Sequence, residues 1–204
     1  HKITVQALSE MLDEGNEFTN IILETFSSLN LSADVLDSLR DNLLKRLDSL
    51  DSDNLPMLVR FLLQTSPAKA LSSVVSRIRE DLDVCSDQSV QGSVGSPRAV
   101  SIRDKATRAQ SYQLLVFQAI RTAMEFDAKI AKAFVTSLSS AEDNKPLDIW
   151  LLLIAHRIGS FRVKAEAIFK QKVLAKKFTM AIIRKALVSH ASVLVEHFAS
   201  VVTL

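Results

Sequence analysis

Asp53-Asn54-Leu55-Pro56-Met57-Leu58-Val59-Arg60-Phe61-Leu62-Leu63 and Asp143-Asn144-Lys145-Pro146-Leu147-Asp148-Ile149-Trp150-Leu151-Leu152-Leu153 decide the fold of this chain. Each sets short polar residues and a proline before a run dominated by aliphatic and aromatic side chains. Asp and Asn accept from first-turn amides, and proline there lacks only a donor that would have no partner, so both stretches read as helix starts. Shared cap chemistry explains most of their likeness; what remains lends some support to repeated helical units.

Working outward, apolar residues recur at helical spacing almost throughout, and no stretch alternates as a strand does. The spacing predicts helices over 4–14, 16–29, 33–49, 55–65, 67–83, 103–126, 128–139, 146–157, 161–175, 178–188 and 190–202. Ser32 is placed to cap the third, and Ser66-Pro67 supplies a cap followed by a first-turn proline. Many short antiparallel helices imply an all-α chain, an α-solenoid of HEAT or armadillo type in which each unit buries a face against the next. One segment interrupts it: Val84 to Val100 is rich in Ser and Gly and holds two charges. It cannot bury enough surface to offset its ordering entropy, which predicts a flexible loop over 84–101. The expected organisation is a helical-repeat segment over 1–83, the loop, and a second helical segment over 102–204.

Composition agrees. Of 204 residues 48% are hydrophobic, with only four Gly and four Pro. A mean hydropathy of +0.17 suggests apolar faces that meet something else. The longest uncharged apolar run, Ile149 to Ala155, is far too short to span a bilayer, so no membrane partner is expected. The chain opens at His1 without a charged, apolar leader and reads as an excerpt or a processed product. A single cysteine, Cys85, excludes an internal disulfide framework and suits a reducing compartment.

Net charge is +2 but unevenly spread. Residues 1–100 hold 9 Lys/Arg against 15 Asp/Glu, and residues 101–204 hold 16 against 8. Arg157 to Lys185 contains nine basic residues and one acid, Glu166. The second helical segment is therefore basic and the first acidic. A field of that sign attracts polyanions or an acidic protein surface, although a solvated basic face has the same composition. Arg157, Arg162, Lys164, Lys170, Lys176, Lys177, Arg184 and Lys185 are the candidate contacts for phosphate or partner.

Catalytic patterns have little support. The four glycines are scattered, so there is no phosphate loop. His190 and His197 lie two turns apart on one helix, too far to share a metal without other ligands, and His156 reads as core or surface. Cys85 has no basic neighbour to activate it. The carboxylates of 10–17 and 34–53 are spaced as solvated helix faces, and no strand-turn-helix elbow holds a nucleophile. Trp150 reads as packing. No enzyme activity, metal or cofactor is expected.

Phe169-Lys-Gln-Lys-Val-Leu-Ala-Lys-Lys-Phe178 stands apart. Ile168 and Phe169 precede Lys172 by four and three positions and so touch its base on a helix. They make a candidate partner-facing surface beside that lysine, while Val163, Ala167 and Leu174 form a second apolar side. The nearby cations Lys170, Lys176 and Lys177 favour the neutral amine.

Leu50-Asp-Ser-Asp-Asn-Leu-Pro-Met-Leu-Val-Arg-Phe-Leu-Leu63 resembles a signature of the Fanconi anaemia group D2 family. The likeness continues in order through Val74-Val-Ser-Arg-Ile-Arg-Glu-Asp-Leu-Asp83, Leu115-Val-Phe-Gln-Ala-Ile-Arg121, Ala128-Lys-Ile-Ala-Lys-Ala-Phe134, Leu147-Asp-Ile-Trp-Leu-Leu-Leu-Ile154 and Ile168-Phe-Lys-Gln-Lys-Val173. It implies a central piece of a longer, nuclear, non-enzymatic helical-repeat protein of interstrand crosslink repair. That protein would pair with the Fanconi anaemia group I protein and close around double-stranded DNA. The resemblance also implies one ubiquitin, attached to one lysine by an E2 and a RING-type E3 and removed by a deubiquitinase. The family sets that lysine after a basic residue and Asn and before Ile; Lys170, Gln171, Lys172 and Val173 stand in those places, so Lys172 is the implied acceptor. The family continues with Arg and a Ser-Gly helix end where this chain has Leu174, Ala175 and Lys176, which keeps Lys170 and Lys176 as lesser candidates. The alternatives are a generic helical protein-binding scaffold without modification, and a helical enzyme subunit.

Overall fold

Spacing of apolar side chains builds most of the described helices. In the computed structural model the described residues are 7, 8, 10–12, 18–29, 31–45, 47, 54–82 and 99–189, with backbone alone at 99–111 and 189. The helices are α1 (Thr19–Ser28), α2 (Ala33–Leu44), α3 (Leu55–Thr65), α4 (Ala68–Asp81), α5 (Ala99–Phe126), α6 (Ala128–Ser140), α7 (Pro146–Arg157), α8 (Arg162–Leu174) and α9 (Met180–Ser189). A 3-10 turn, Gly159–Phe161, leads into α8. Among the described residues there is no strand, and the fold is all-α.

Amphipathic stripes set the packing. On α4 the buried apolar residues are Leu71, Val74, Val75 and Ile78, the spacing of one helix face. On α6 they are Ile130, Ala131, Phe134, Val135 and Leu138. Burying a side chain of this kind contributes about 1.5–3 kcal/mol, so each stripe is what holds its helix in place. Helices α1, α3 and α5 contact one another in sequence, as α7 contacts α9; α4 contacts α6, which contacts α8. Between the rows α2 contacts α3, α3 contacts α4, α5 contacts α6, and α7 contacts both α6 and α8. That alternation is the helical-repeat arrangement, each unit burying its stripe against the next.

Helix α7 packs against α9 of its own row and against α6 and α8 of the other. Every residue from Leu147 to His156 is buried, so it lacks a solvent face. Trp150 is fully buried, 6.2 Å from the Phe117 ring of α5, and its Nε1 donates to the Ala186 carbonyl of α9 at 3.0 Å.

Several expectations need correcting. Helix α2 ends at Leu44 rather than 49, and the long helix α5 begins at Ala99, so residues 99–101 are helical rather than loop. Ser32 occupies the cap position of α2 without a side-chain cap bond. Ser66 terminates α3 instead of starting α4, its hydroxyl donating to the Leu62 carbonyl at 2.5 Å. The Pro67 carbonyl accepts the first bonds of α4, from Ala70 and Leu71. Asn54 caps nothing with its side chain, and the cap position of α7 is Lys145, not Asn144. The remainder of the predicted loop, 84–98, the predicted helix 190–202, Cys85, His190 and His197 lie outside the described residues.

Candidate functional site

On α8 the buried residues are Ala165, Ile168 and Lys172, the i, i+3, i+7 spacing of a core stripe. Lysine thus occupies a position where an apolar residue is the rule, and it is only 4% exposed. Among the described residues it is the one buried lysine. Its Nζ donates to the Ala141 carbonyl at 2.9 Å and to Asn144 Oδ1, both in the turn joining α6 to α7. The Phe178 ring lies 5.7 Å from the ammonium, a cation–π distance, and packs on Phe169 with ring centroids 5.6 Å apart.

Burial is the chief reason the Lys172 amine sits below the usual lysine range; the nearby charges of Lys177 and Arg79 act the same way, and Asp148 opposes them. Of the cations expected to favour the neutral amine, Lys177 acts as expected, and burial adds the larger effect. Desolvation penalises the charged form directly, whereas exposed cations act through water.

The turn is held from its other side as well. Arg79 of α4 donates through Nε to Asp148 Oδ1 at 2.7 Å and through a terminal nitrogen to the Asp143 carbonyl at 2.5 Å. Asp148 is fully buried, and its second oxygen accepts the Lys145 backbone N–H at 2.9 Å. The Lys145 ammonium donates to the Glu80 carbonyl at 2.5 Å, and Asn144 Nδ2 to the Glu142 carbonyl at 2.6 Å. Burial raises the Asp148 carboxyl above its ordinary range despite the Lys145 amide, Arg79 and Lys172, which all pull it down. Residues 141–145 are therefore clamped between α4 and α8.

Ile168 and Phe169 do not form a surface beside the lysine. Ile168 is buried in the core and Phe169 is half-buried against Phe178. The outward apolar side chains of α8 are Val163, 78% exposed, and Leu174, 84% exposed. The helix is thus turned opposite to the expected sense, because Lys172 takes the inward register with Ile168. Arg157, Arg162, Lys164, Lys170, Lys176, Lys177, Arg184 and Lys185 are all exposed, on the end of α7, on α8, in the turn after it, and on α9. Arg162 approaches Glu166 at 3.6 Å. Glu166 also meets the buried His156 Nε2 at 3.0 Å, a hydrogen bond that is the main cause of its lowered pKa.

Lys176 has φ 56°, the left-handed region, where α8 ends. Backbone N–H groups of Lys177 and Phe178 both return to the Lys172 carbonyl, at 2.8 and 3.1 Å. Glycine is the usual residue at such a helix end. Lys176→Gly is expected to relieve about 1–2 kcal/mol of side-chain strain against about 0.5–1 kcal/mol of added unfolded-state entropy. The net gain, about 0.5–1 kcal/mol, should appear as a melting temperature about 2 °C higher in calorimetry; a lower one would contradict the strained geometry.

Sequence reading did not find Arg79, Ala141, Asn144, Asp148 or Phe178 as parts of this site. A signal existed for two of them: Arg79 and Asp148 are charged residues in core register, which demands a buried partner. Asn144 looked like a helix cap, and nothing local distinguishes a carbonyl such as that of Ala141.

Among the described residues no three His, Cys, Asp or Glu side chains converge as a metal site, and no described helix is long and apolar enough to cross a membrane. A family model described as "Fanconi anaemia protein FancD2 nuclease" matches residues 1–204. The Fanconi anemia group D2 protein of Gallus gallus is 27% identical over 208 residues, which cover 97% of this chain and 14% of that protein. The group D2 protein homologs of Rattus norvegicus and Mus musculus are each 24% identical over 215 residues, covering 100% of this chain and 15% of theirs. The chain therefore spans about one seventh of the length of the relatives it matches. With its packed helical rows and a family match that runs from the first residue to the last, this chain belongs to the FancD2 family of Fanconi anaemia proteins.

Proposed function

We propose that this chain is part of a non-enzymatic scaffold of the Fanconi anaemia pathway of DNA crosslink repair, acting in the nucleus, and that Lys172 accepts a single ubiquitin. The observation that carries the acceptor reading is the coincidence of the family's acceptor position with the one buried lysine among the described residues. The amine reacts in its neutral form; in the inward pose burial lowers its pKa. Its nitrogen attacks the thioester carbonyl of ubiquitin on an E2; the N–C bond forms, the C–S bond breaks, the cysteine sulfur leaves as thiolate, and the amine proton passes to water. A RING-type E3 orients the donor and a deubiquitinase reverses the product.

The scaffold pairs with the Fanconi anaemia group I protein, and the two close on double-stranded DNA. The exposed cations from Arg157 to Lys185 suit phosphate contacts, which are sequence-independent and salt-dependent. Exposed Val163 and Leu174 suit a protein contact on the outer side of α8.

The test is reconstituted ubiquitination with the pathway's E2 and RING E3, partner and DNA, read by mass spectrometry. One adduct is expected, on Lys172. Lys172→Arg should abolish it, while Lys170→Arg and Lys176→Arg retain it. An undiminished adduct on folded Lys172→Arg protein defeats the reading and leaves an unmodified helical scaffold.

A further inference from the structure

The acceptor amine points inward, into the turn between α6 and α7. Two oxygens hold it, the Ala141 carbonyl and Asn144 Oδ1, and Phe178 covers it on a third side. An E2 thioester reacts only with an amine it can approach, and this one is 4% exposed. We infer that residues 141–145 form a latch on Lys172, with Asn144 as its positioning residue, and that modification requires the latch to let the ammonium swing outward.

The geometry supplies the way out and the room to move. A hollow of about 60 Å3, lined by Ser139, Ala141, Gln171, Lys172, Ala175 and Lys177, opens beside the lysine. A second, open polar cleft of about 370 Å3 also borders the turn, lined by Ser76, Arg79, Glu80, Ser137, Ser140 and Asp143 among others. Solvent-facing space thus borders the turn, while Arg79 holds its middle at the Asp143 carbonyl and Lys145 ties its far end to Glu80. Apart from the buried Ala141 the turn is a short polar segment held mainly by hydrogen bonds, the class of element that opens locally at lower cost than the core. Release exchanges two protein acceptors for water and removes the desolvation of the amine. The latch therefore lowers the rate of modification without blocking it.

This inference rests on the acceptor reading for its biological consequence, but the latch is tested without ubiquitin. The full chain is treated with a small N-hydroxysuccinimide ester. The neutral amine attacks the ester carbonyl, an amide N–C bond forms, the ester C–O bond breaks, N-hydroxysuccinimide departs, and a proton passes to buffer. Labelling of each lysine is read by mass spectrometry, with exposed Lys170 and Lys177 as internal references. Lys172 should label at least about tenfold more slowly than both, since a hydrogen bond to an ammonium has to be broken first.

Asn144→Ala should raise Lys172 labelling about tenfold and leave the references unchanged. Asn144→Asp, which sets a carboxylate against the ammonium, should lower it below wild type. Far-ultraviolet dichroism confirms that both variants are folded. Labelling of wild-type Lys172 equal to Lys170, or an equal rise in both Asn144 variants, overturns the latch. If labelling responds as expected but the enzymes never modify Lys172, the latch stands and the acceptor reading falls.

Discussion

Replacing Arg79 with alanine is expected to destabilise the fold by about 3–5 kcal/mol, because it leaves the fully buried Asp148 carboxylate without its charge partner. The guanidinium is 92% removed from solvent, and the carboxylate wholly so, its side-chain exposure being 8% and 0% respectively. Removing one member of such a pair costs far more than its net contribution, since the remaining charge keeps its desolvation penalty. The loss also frees the Asp143 carbonyl, so the turn between α6 and α7 loosens at the same time.

The effect has a definite pH dependence. Burial already raises Asp148 above the unfolded value of 3.8, and Arg79 is one of the groups holding it down. Without Arg79 it rises further. A carboxyl with a native value above its unfolded one binds more protons when folded. Its contribution is fully present below the unfolded value and is lost as pH climbs through the native one. The deficit of Arg79→Ala should therefore be largest near neutral pH and shrink on acidification through that raised value. Urea unfolding across a pH series from about 7.5 down to about 4 reads this directly. A gap between variant and wild type that stays constant or widens as pH falls would rule out a buried, uncompensated Asp148 as the cause.

Trp150→Ala is expected to cost about 3–5 kcal/mol, from lost transfer energy and the cavity left behind. The indole is fully buried in the helix that joins the two rows, against Phe117 of α5, and its Nε1 is bonded to Ala186 of α9. Truncation therefore weakens both contacts at once, and the melting temperature should fall by about 10 °C or more. Trp150→Phe keeps most of the ring volume and loses the hydrogen bond, so about 1–2 kcal/mol is expected. Calorimetry on both variants separates packing from hydrogen bonding. If Trp150→Phe were as damaging as Trp150→Ala, the bond to Ala186 rather than ring packing would dominate.

Much of the fold was legible because helix formation is local. The stripe Leu71, Val74, Val75, Ile78 and the continuous run from Leu147 to Ala155 are patterns of residue type at fixed spacing, and they become helices wherever they can bury that face. Boundaries were less legible. Ser66 and Asn144 looked like caps because the cap preference is a propensity, and each found another partner. Ser66 turned back to Leu62, and Asn144 reached Lys172 on a helix distant in sequence.

The site divides along the same line. The likeness of Ile168 to Val173 to a known family singled out Lys172, and residue types alone set the basic character of the stretch around it. The direction in which that lysine faces was decided by packing. Ala165, Ile168 and Lys172 share the inward register of α8, which sends Val163 and Leu174 to the surface and the amine into the turn at 141–145. Periodicity tells which residues share a face of a helix; which face points inward depends on what the neighbouring helices offer it. Here the offer was a carbonyl, an amide oxygen and an aromatic ring, contributed by segments that only the assembled fold brings within reach of one nitrogen.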